Sequence, residues 1–360
     1  MALRDDDSEM PFCKKLKVSA LPFILGALGC SNSPAQRSVV DAEPVWSVVL
    51  SRNPVYSDTS SDFAATRRAV IVADRVVVLI DLGTTAYIAG RPKNNYRLMS
   101  LDLSSGAVLN QQDLSDFRAP DLYATDDDHV IIGEFSLRRL NPDLTPALEQ
   151  FIETGHGRTI QISPDGRTLA HETAPGTELL DSHTLKPTGT RLTESVPTAV
   201  SAKAVLTDNV HWIGQYPKDL TFVTLTDEVG QHLVFHGQCS GRPAFLDDQR
   251  ILITGCGRVR ILDTSGHTLG ETELPSKNGN FAGVSRDGSR FVIQNSESSW
   301  GDPPRIRSES FMIYDSIKVQ PIAVVNSKML PERHSWTAFS KDGHLFVAGI
   351  PGNLRLYRIP

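Results

Sequence analysis

Residues 281–294 read "FAGVSRDGSRFVIQ", and the same grammar returns as "TIQISPDGRTLAHE" at 159–172 and "TAFSKDGHLFVAG" at 337–349. Each is a strand-forming run, a turn carrying Asp-Gly and a second strand-forming run. Asp-Gly supplies the positive φ that a tight hairpin needs. Looser copies lie at 67–81 ("RRAVIVADRVVVLID"), 121–134 ("DLYATDDDHVIIGE"), 200–214 ("VSAKAVLTDNVHWIG") and 242–255 ("RPAFLDDQRILITG"). The turn aspartates are then Asp74, Asp127, Asp165, Asp208, Asp248, Asp287 and Asp342, at gaps of about 38–55 residues.

After most of these hairpins comes a second strand pair with its own turn. Examples are "YRLMSLDLSSGAVL" (96–109), "TELLDSHTLKPTG" (177–189), "VRILDTSGHTLG" (259–270) and "SFMIYDSIKVQPIAVV" (310–325). Four strands per repeat at this period describe the blades of a propeller. The expected fold is an all-β, seven-bladed β-propeller of four-stranded antiparallel blades, rather than one of six or eight. The segments "SPDGRTLA", "SRDGSRFV" and "SKDGHLFVA", each followed by a pair like "LLDSHTLKPTG", resemble the repeats of bacterial WD40-like and YVTN-type β-propellers. The resemblance runs from Val45 to Pro360 and its motifs are structural; the Trp-Asp dipeptide of eukaryotic WD40 repeats is absent.

The last repeat has only three strands, "WTAFS", "LFVAG" and "LRLYRIP". The early strand "VWSVVLS" (45–51) has no hairpin partner of its own. Pairing it with 354–359 completes the last blade and closes the ring, so that neither terminus leaves a bare edge.

Ahead of the repeats, Lys14, Lys15 and Lys17 precede the apolar run "VSALPFILGALG" (Val18 to Gly29), which ends at Cys30. A basic segment, a short apolar core and small residues describe a secretory signal. Cys30 after "GALG" resembles the bacterial lipobox, whose cysteine is lipidated, although Ala27 stands where that family usually has Leu. Residues 1–30 are therefore read as a signal peptide, with Met10 the better start because "MALRDDDSE" is too acidic for its head. Residues 31–44, beginning "SNSPAQRS", read as a polar tether, and 45–360 as the propeller. The expected address is the cell envelope, through a lipid on Cys30. The formal charge of −6 is spread without a basic stripe, which argues against a nucleic-acid partner.

Cys13 and Cys30 fall in the signal, which leaves Cys239 and Cys256 in the domain. They lie symmetrically about Asp247–Asp248, so a two-residue hairpin would set them face to face. In an oxidising compartment that arrangement favours a disulfide over a redox pair or half a zinc site, since no C-x-x-C spacing is present. The closed loop would contribute about 3 kcal/mol. His232 and His236 stand at i and i+4 on a strand, about 13 Å apart, too far to share a metal. Asp126–Asp128 and Asp247–Asp248 are read as turn-capping residues. "GHGR" (155–158) and "GCGR" (255–258) lack a phosphate-loop pattern, and no G-x-S-x-G or H-E-x-x-H occurs. No catalytic residue, metal or cofactor is assigned.

Function is sought instead in loop length. Two connections between second and third strands are long, "GTTAYIAGRPKNNY" (83–96) and "NSESSWGDPPRIRSE" (295–309). By ring order they share a face, with one blade between them. They carry Tyr87, Arg91, Lys93 and Tyr96 in one and Trp300, Arg305 and Arg307 in the other, residue types enriched at binding hot spots. The expectation is a monomeric, non-catalytic binding or scaffolding module for a protein or glycan ligand. The alternative is a propeller lactonase or hydrolase with a metal in its central channel.

Overall fold

The computed structural model describes residues 39–50 and residues 65–360, except 89–90, 115–119, 134–135, 152–159, 174–175, 193–196, 212–219, 239–242, 277–278, 300–304, 328–335 and 351–352. Two strands come first, β1 (Val40–Asp41) and β2 (Pro44–Val49). Blade 1 follows as β3 (Ala65–Val72), β4 (Arg75–Ile88), β5 (Arg91–Asp102) and β6 (Val108–Leu114). Blade 2 is β7 (Asp121–Ala124), β8 (Val130–Gly133), β9 (Ser136–Leu140) and β10 (Pro146–Phe151). Blade 3 is β11 (Ile160–Ile162), β12 (Thr168–Thr173), β13 (Gly176–Asp181) and β14 (Pro187–Leu192). Blade 4 is β15 (Ala199–Val200), β16 (Val205–His211), β17 (Leu220–Thr226) and β18 (Gln231–Gln238). Blade 5 is β19 (Ala244–Phe245), β20 (Arg250–Gly255), β21 (Arg258–Asp263) and β22 (Thr268–Glu273). Blade 6 is β23 (Asn280–Val284), β24 (Arg290–Ser299), β25 (Arg305–Asp315) and β26 (Gln320–Ser327). Blade 7 is β27 (Trp336–Phe339), β28 (Leu345–Ile350) and β29 (Asn353–Arg358), with β2 as its fourth strand.

The chain is thus a seven-bladed β-propeller closed by its first and last strands. β2 runs antiparallel to β29, with Ser47 opposite Arg355 and Val48 opposite Leu354. A feature absent from the sequence reading is β1, which adds to blade 6 in parallel, Val40 opposite Ala323. Sheet structure therefore begins inside the stretch read as tether. Trp46 ties the closing strand to blade 1: its indole donates to Leu103 O at 2.8 Å. The left-handed Gly106 leaves room for that ring, since a Cβ there would lie 2.7 Å from Val48 and 2.9 Å from Trp46.

The blades bury both faces, which is why second strands such as β4, β8 and β28 read as apolar runs. In blade 1, Val76, Val78 and Ile80 face blade 7, while Val77 and Leu79 face blade 2. Seven apolar clusters result, one in each blade–blade interface. A buried Val or Leu side chain contributes roughly 1.5–3 kcal/mol, so an isolated blade would forfeit most of its stabilisation.

The repeated turn has a physical grammar. Ser163, Ser285 and Ser340 each donate a hydroxyl hydrogen bond to the aspartate two residues on, at 2.5, 2.6 and 2.6 Å. The same hydroxyls accept from the first amide of the next strand at 2.9–3.0 Å. Gly166, Gly288 and Gly343 then take φ of +80°, +67° and +71°. Blade 2 follows suit with Thr125, Asp127 and a left-handed Asp128. A second rule closes the outer turns: Asp102, Asp181, Asp263 and Asp315 end the third strands, Asp227 directly follows one, and all five accept backbone amides from the turn, the Asx arrangement expected of such residues.

Blade 4 departs from the expected register. Asp208 lies within β16, opposite Val223, rather than at a turn. The turn is Ser201–Ala204, where Ser201 Oγ accepts from Ala204 N at 3.2 Å and Asp248 of blade 5 caps Ala202 N at 2.9 Å.

Removing Leu354–Pro360 takes away Leu354, Leu356, Tyr357 and Ile359, all 2 % exposed or less. At about 2–5 kcal/mol for each large buried side chain, the loss matches a domain's usual net stability of about 5–15 kcal/mol. The truncated chain is expected to show no cooperative thermal transition by circular dichroism. An unchanged melting temperature would contradict closure by these strands.

Candidate functional site

Adjacent strands alternate in direction, so a blade's first and third turns lie on one face of the ring. The connections between second and third strands open on the other. The two faces differ sharply.

On the second face the two long connections are not loops. β4 and β5 continue as a paired ladder past the sheet, with Thr84 opposite Asn94, Tyr87 opposite Pro92 and Ile88 opposite Arg91. β24 and β25 do the same, with Ser296 opposite Glu309 and Ser299 opposite Arg305. These are β-hairpin arms on blades 1 and 6, with blade 7 between them. Blade 5, by contrast, turns in two residues, Cys256 and Gly257, with φ of +49° and +76°. Tyr87, Arg91 and Lys93 are strand positions on the first arm, and Arg305 and Arg307 on the second; Trp300 lies outside the described residues. Tyr96 must be withdrawn from the set. It is fully buried in the cluster between blades 1 and 2, because Tyr96 pairs with Asp81 inside the sheet rather than in the arm.

On the first face the repeated turns converge. The residue between hydroxyl and aspartate is Asp126 in blade 2, Pro164 in blade 3, Arg286 in blade 6 and Lys341 in blade 7. Arg286, only 10 % exposed, reaches across the ring. It donates to Ile71 O of blade 1 at 3.2 Å, to Asp128 Oδ1 of blade 2 at 3.0 Å, and to Thr125 O. Lys341 Nζ donates to Asp126 O at 3.0 Å. Arg167 Nε holds Asp126 Oδ2 at 2.8 Å, His183 Nε2 stands 2.5 Å from Asp126 Oδ1, and Arg139 pairs with Asp127. Neighbouring turns are joined as well, Arg250 to Gly288 O at 3.0 Å and Asp287 N to Lys341 O at 3.1 Å. This end of the ring is bound together by charge.

Asp126, Asp127 and His183 offer ligand atoms within 4.8 Å of one another, a spacing that could hold a cation. Their carboxylates already carry two arginines, and that positive charge opposes a second cation. The expected turn role of Asp247 stands: its Oδ1 accepts Gln249 N at 2.9 Å and Arg250 N at 2.8 Å.

Between the faces, the first strands of blades 1 and 2 adjoin at the axis. Arg68 Nε meets Asp121 Oδ1 at 2.9 Å, its guanidinium lies 5.1 Å from the Tyr123 ring centre, and Tyr123 donates to Asp121 Oδ2 at 3.0 Å. Burial, then the Asp121 charge, pushes the Tyr123 phenol well above its usual range. His232 and His236 serve separate contacts, the first with Thr264 O at 2.9 Å, the second stacked on Phe222 at 6.5 Å.

Cys30 and Cys239 lie outside the described residues. The hairpin before Cys256 is centred on Asp248 rather than between Asp247 and Asp248, since Ala244 faces Leu252 and Phe245 faces Ile251. Its turn holds three residues where two were expected, which moves the symmetry point by half a position. Cys256 Sγ lies 4.0 Å from Gln238 O.

No known protein family and no curated protein matches this sequence. A solved structure described as the C-terminal WD40 domain of Sif2 is similar at 11 % identity and a TM-score of 0.45, over 90 % of this chain and 99 % of that one. The propeller assignment here rests on the chain's own strand pairing.

The His183–Asp126 pair gives the turn face a pH dependence. Partial burial raises the Asp126 carboxyl, but hydrogen bonds from His183 and Arg167 outweigh it and hold the group below its usual range. The bond to Asp126 raises His183. The Asp126 contribution is present above the unfolded carboxylate value of about 3.9 and fades as pH falls through the lowered folded value. The His183 contribution is complete below about 6.5 and fades as pH rises through its raised folded value. With 43 % of the His183 side chain exposed, solvent limits the pair to less than about 1 kcal/mol. His183→Ala is expected to lower urea stability near pH 5 and to approach wild type near pH 9. A penalty that grows with pH would contradict the assignment.

Proposed function

We propose that this protein is a non-catalytic binding module, exported and held at the cell envelope by a lipid on Cys30, that engages a protein or glycan as a monomer through its arm face. The observation that carries the reading is the pair of hairpin arms. Two blades extend their central strands beyond the sheet on one face, where a rigid ring can present them at fixed separation. Tyr87, Arg91, Lys93, Arg305 and Arg307 on the arms, together with Trp300, are the candidate contacts. Export is supported by Lys14, Lys15 and Lys17 ahead of an apolar run that ends at Cys30. A Cys239–Cys256 disulfide belongs to the same proposal, supported by the position of Cys256 Sγ against Gln238 O.

A hydrolase with a channel metal is the second reading, and the Asp126–Asp127–His183 group is what favours it. The arginines on both carboxylates weigh against it.

One experiment separates these. Each arm is replaced by an Asn-Gly turn, joining Asp81 to Tyr96 and Asn295 to Ser310, which face each other in the ladders. Wild type, the armless chain and Cys30→Ala are then crosslinked in native membranes, and captured proteins and glycans are identified by mass spectrometry. The armless chain is expected to melt within a few degrees of wild type and to lose its partner. Cys30→Ala is expected to leave the membrane fraction, and non-reduced digests to contain the joined Cys239 and Cys256 peptides. Full capture by the armless chain would refute the binding role, and a calcium-dependent rise in melting temperature that Asp126→Asn removes would favour the hydrolase.

A further inference from the structure

A cleft of about 360 Å³ opens between blades 4 and 5, lined by Phe235, Gln238, Ile253, Cys256, Arg258 and Arg260. Its size falls within the range of small-molecule sites, roughly 300–1,000 Å³. It reaches the arm face, since Gln238 ends β18 and Cys256 forms the turn after β20. That turn is two residues long.

The cationic groups in the cleft are held in place. Glu271 bridges both arginines, accepting from Arg258 Nη1 at 2.8 Å and Arg260 Nε at 3.1 Å. The Arg260 guanidinium lies 5.8 Å from the Phe235 ring centre. Its two terminal nitrogens make no hydrogen bond among the described residues. Arg258 Nη2 has only a 3.8 Å approach to Glu273, whose side chain is 84 % exposed. Glu271 and Glu273 together balance the two guanidiniums, so what the cleft offers is the pair of Arg260 terminal nitrogens beside an aromatic wall.

We propose that this cleft binds a carboxylate carried on an apolar or aromatic group. The terminal nitrogens of Arg260 match the paired oxygens of a carboxylate, which a carboxamide cannot reproduce. Phe235 supplies the surface for the attached apolar group. Such a carboxylate comes either from the C-terminus of a peptide or from a small organic acid. The site is independent of the arms and stands whether or not they engage a partner.

The test is isothermal titration of the full chain with 3-phenylpropanoate and with N-acetyl-Gly-Phe, each against its amide. At least one acid is expected to bind saturably and both amides not to bind. Arg260→Gln should weaken the bound acid at least about tenfold with an unchanged melting temperature, and Arg260→Lys should fall between. Preference for N-acetyl-Gly-Phe identifies a peptide terminus; equal or tighter binding of 3-phenylpropanoate identifies an organic acid. The proposal is overturned by no saturable binding of either acid up to about 10 mM. Equal binding of the amides, or undiminished affinity in both Arg260 variants, would overturn it too. If Arg260→Gln does not fold, Arg260→Lys and Phe235→Leu carry the comparison.

Discussion

The pairing of β2 with β29 is the contact on which the rest of the molecule depends. A propeller blade is an apolar sheet on both sides, and only a complete ring covers both. The closing segment acts on three blades at once: β1 extends blade 6, β2 completes blade 7, and Trp46 docks on the Leu103–Gly106 turn of blade 1. Opening that one seam would expose the cluster shared by Val76, Val78, Val347 and Leu354, and with it the neighbouring interfaces.

From this closure follows the contrast between the faces. Inner strands tilt toward a common axis, so the middle residues of their first turns are brought together from distant parts of the chain. Arg286 meets Ile71 and Asp128 across separations of 215 and 158 residues. The resulting ion pairs tie the turn face, where exposed pairs are individually weak but a shared, partly buried network is worth more. On the opposite face two blades lengthen their strands into arms, while blade 5 turns in two residues.

The fold was legible because its grammar is local. A hydroxyl residue, an aspartate two positions later and a glycine at positive φ declare a hairpin whatever surrounds them, as Ser285, Asp287 and Gly288 do. Where a different local device made the turn, the reading slipped: Ser201 and the borrowed Asp248 carboxylate stand in for the aspartate expected at Asp208. Tyr96 looked like a loop aromatic because nothing in one sequence marks where an arm leaves its sheet. The channel-mouth set, Asp126, Arg286 and Lys341, was hidden for a related reason. Those residues are meaningless singly, and only the ring joins them. A signal was present all the same, since they occupy the same position, between hydroxyl and aspartate, in each repeat of the turn.

The most direct test of ring closure is a crosslink across the seam. Ser47 and Arg355 face each other in the β2–β29 ladder, where opposed Cα atoms lie about 4.5–5.5 Å apart, within reach of a disulfide. The double substitution S47C/R355C should oxidise to one intramolecular bond and raise the melting temperature of the oxidised chain above that of the reduced one. If the two thiols stay free under oxidant, or pair only between molecules, the ring is not closed by these strands.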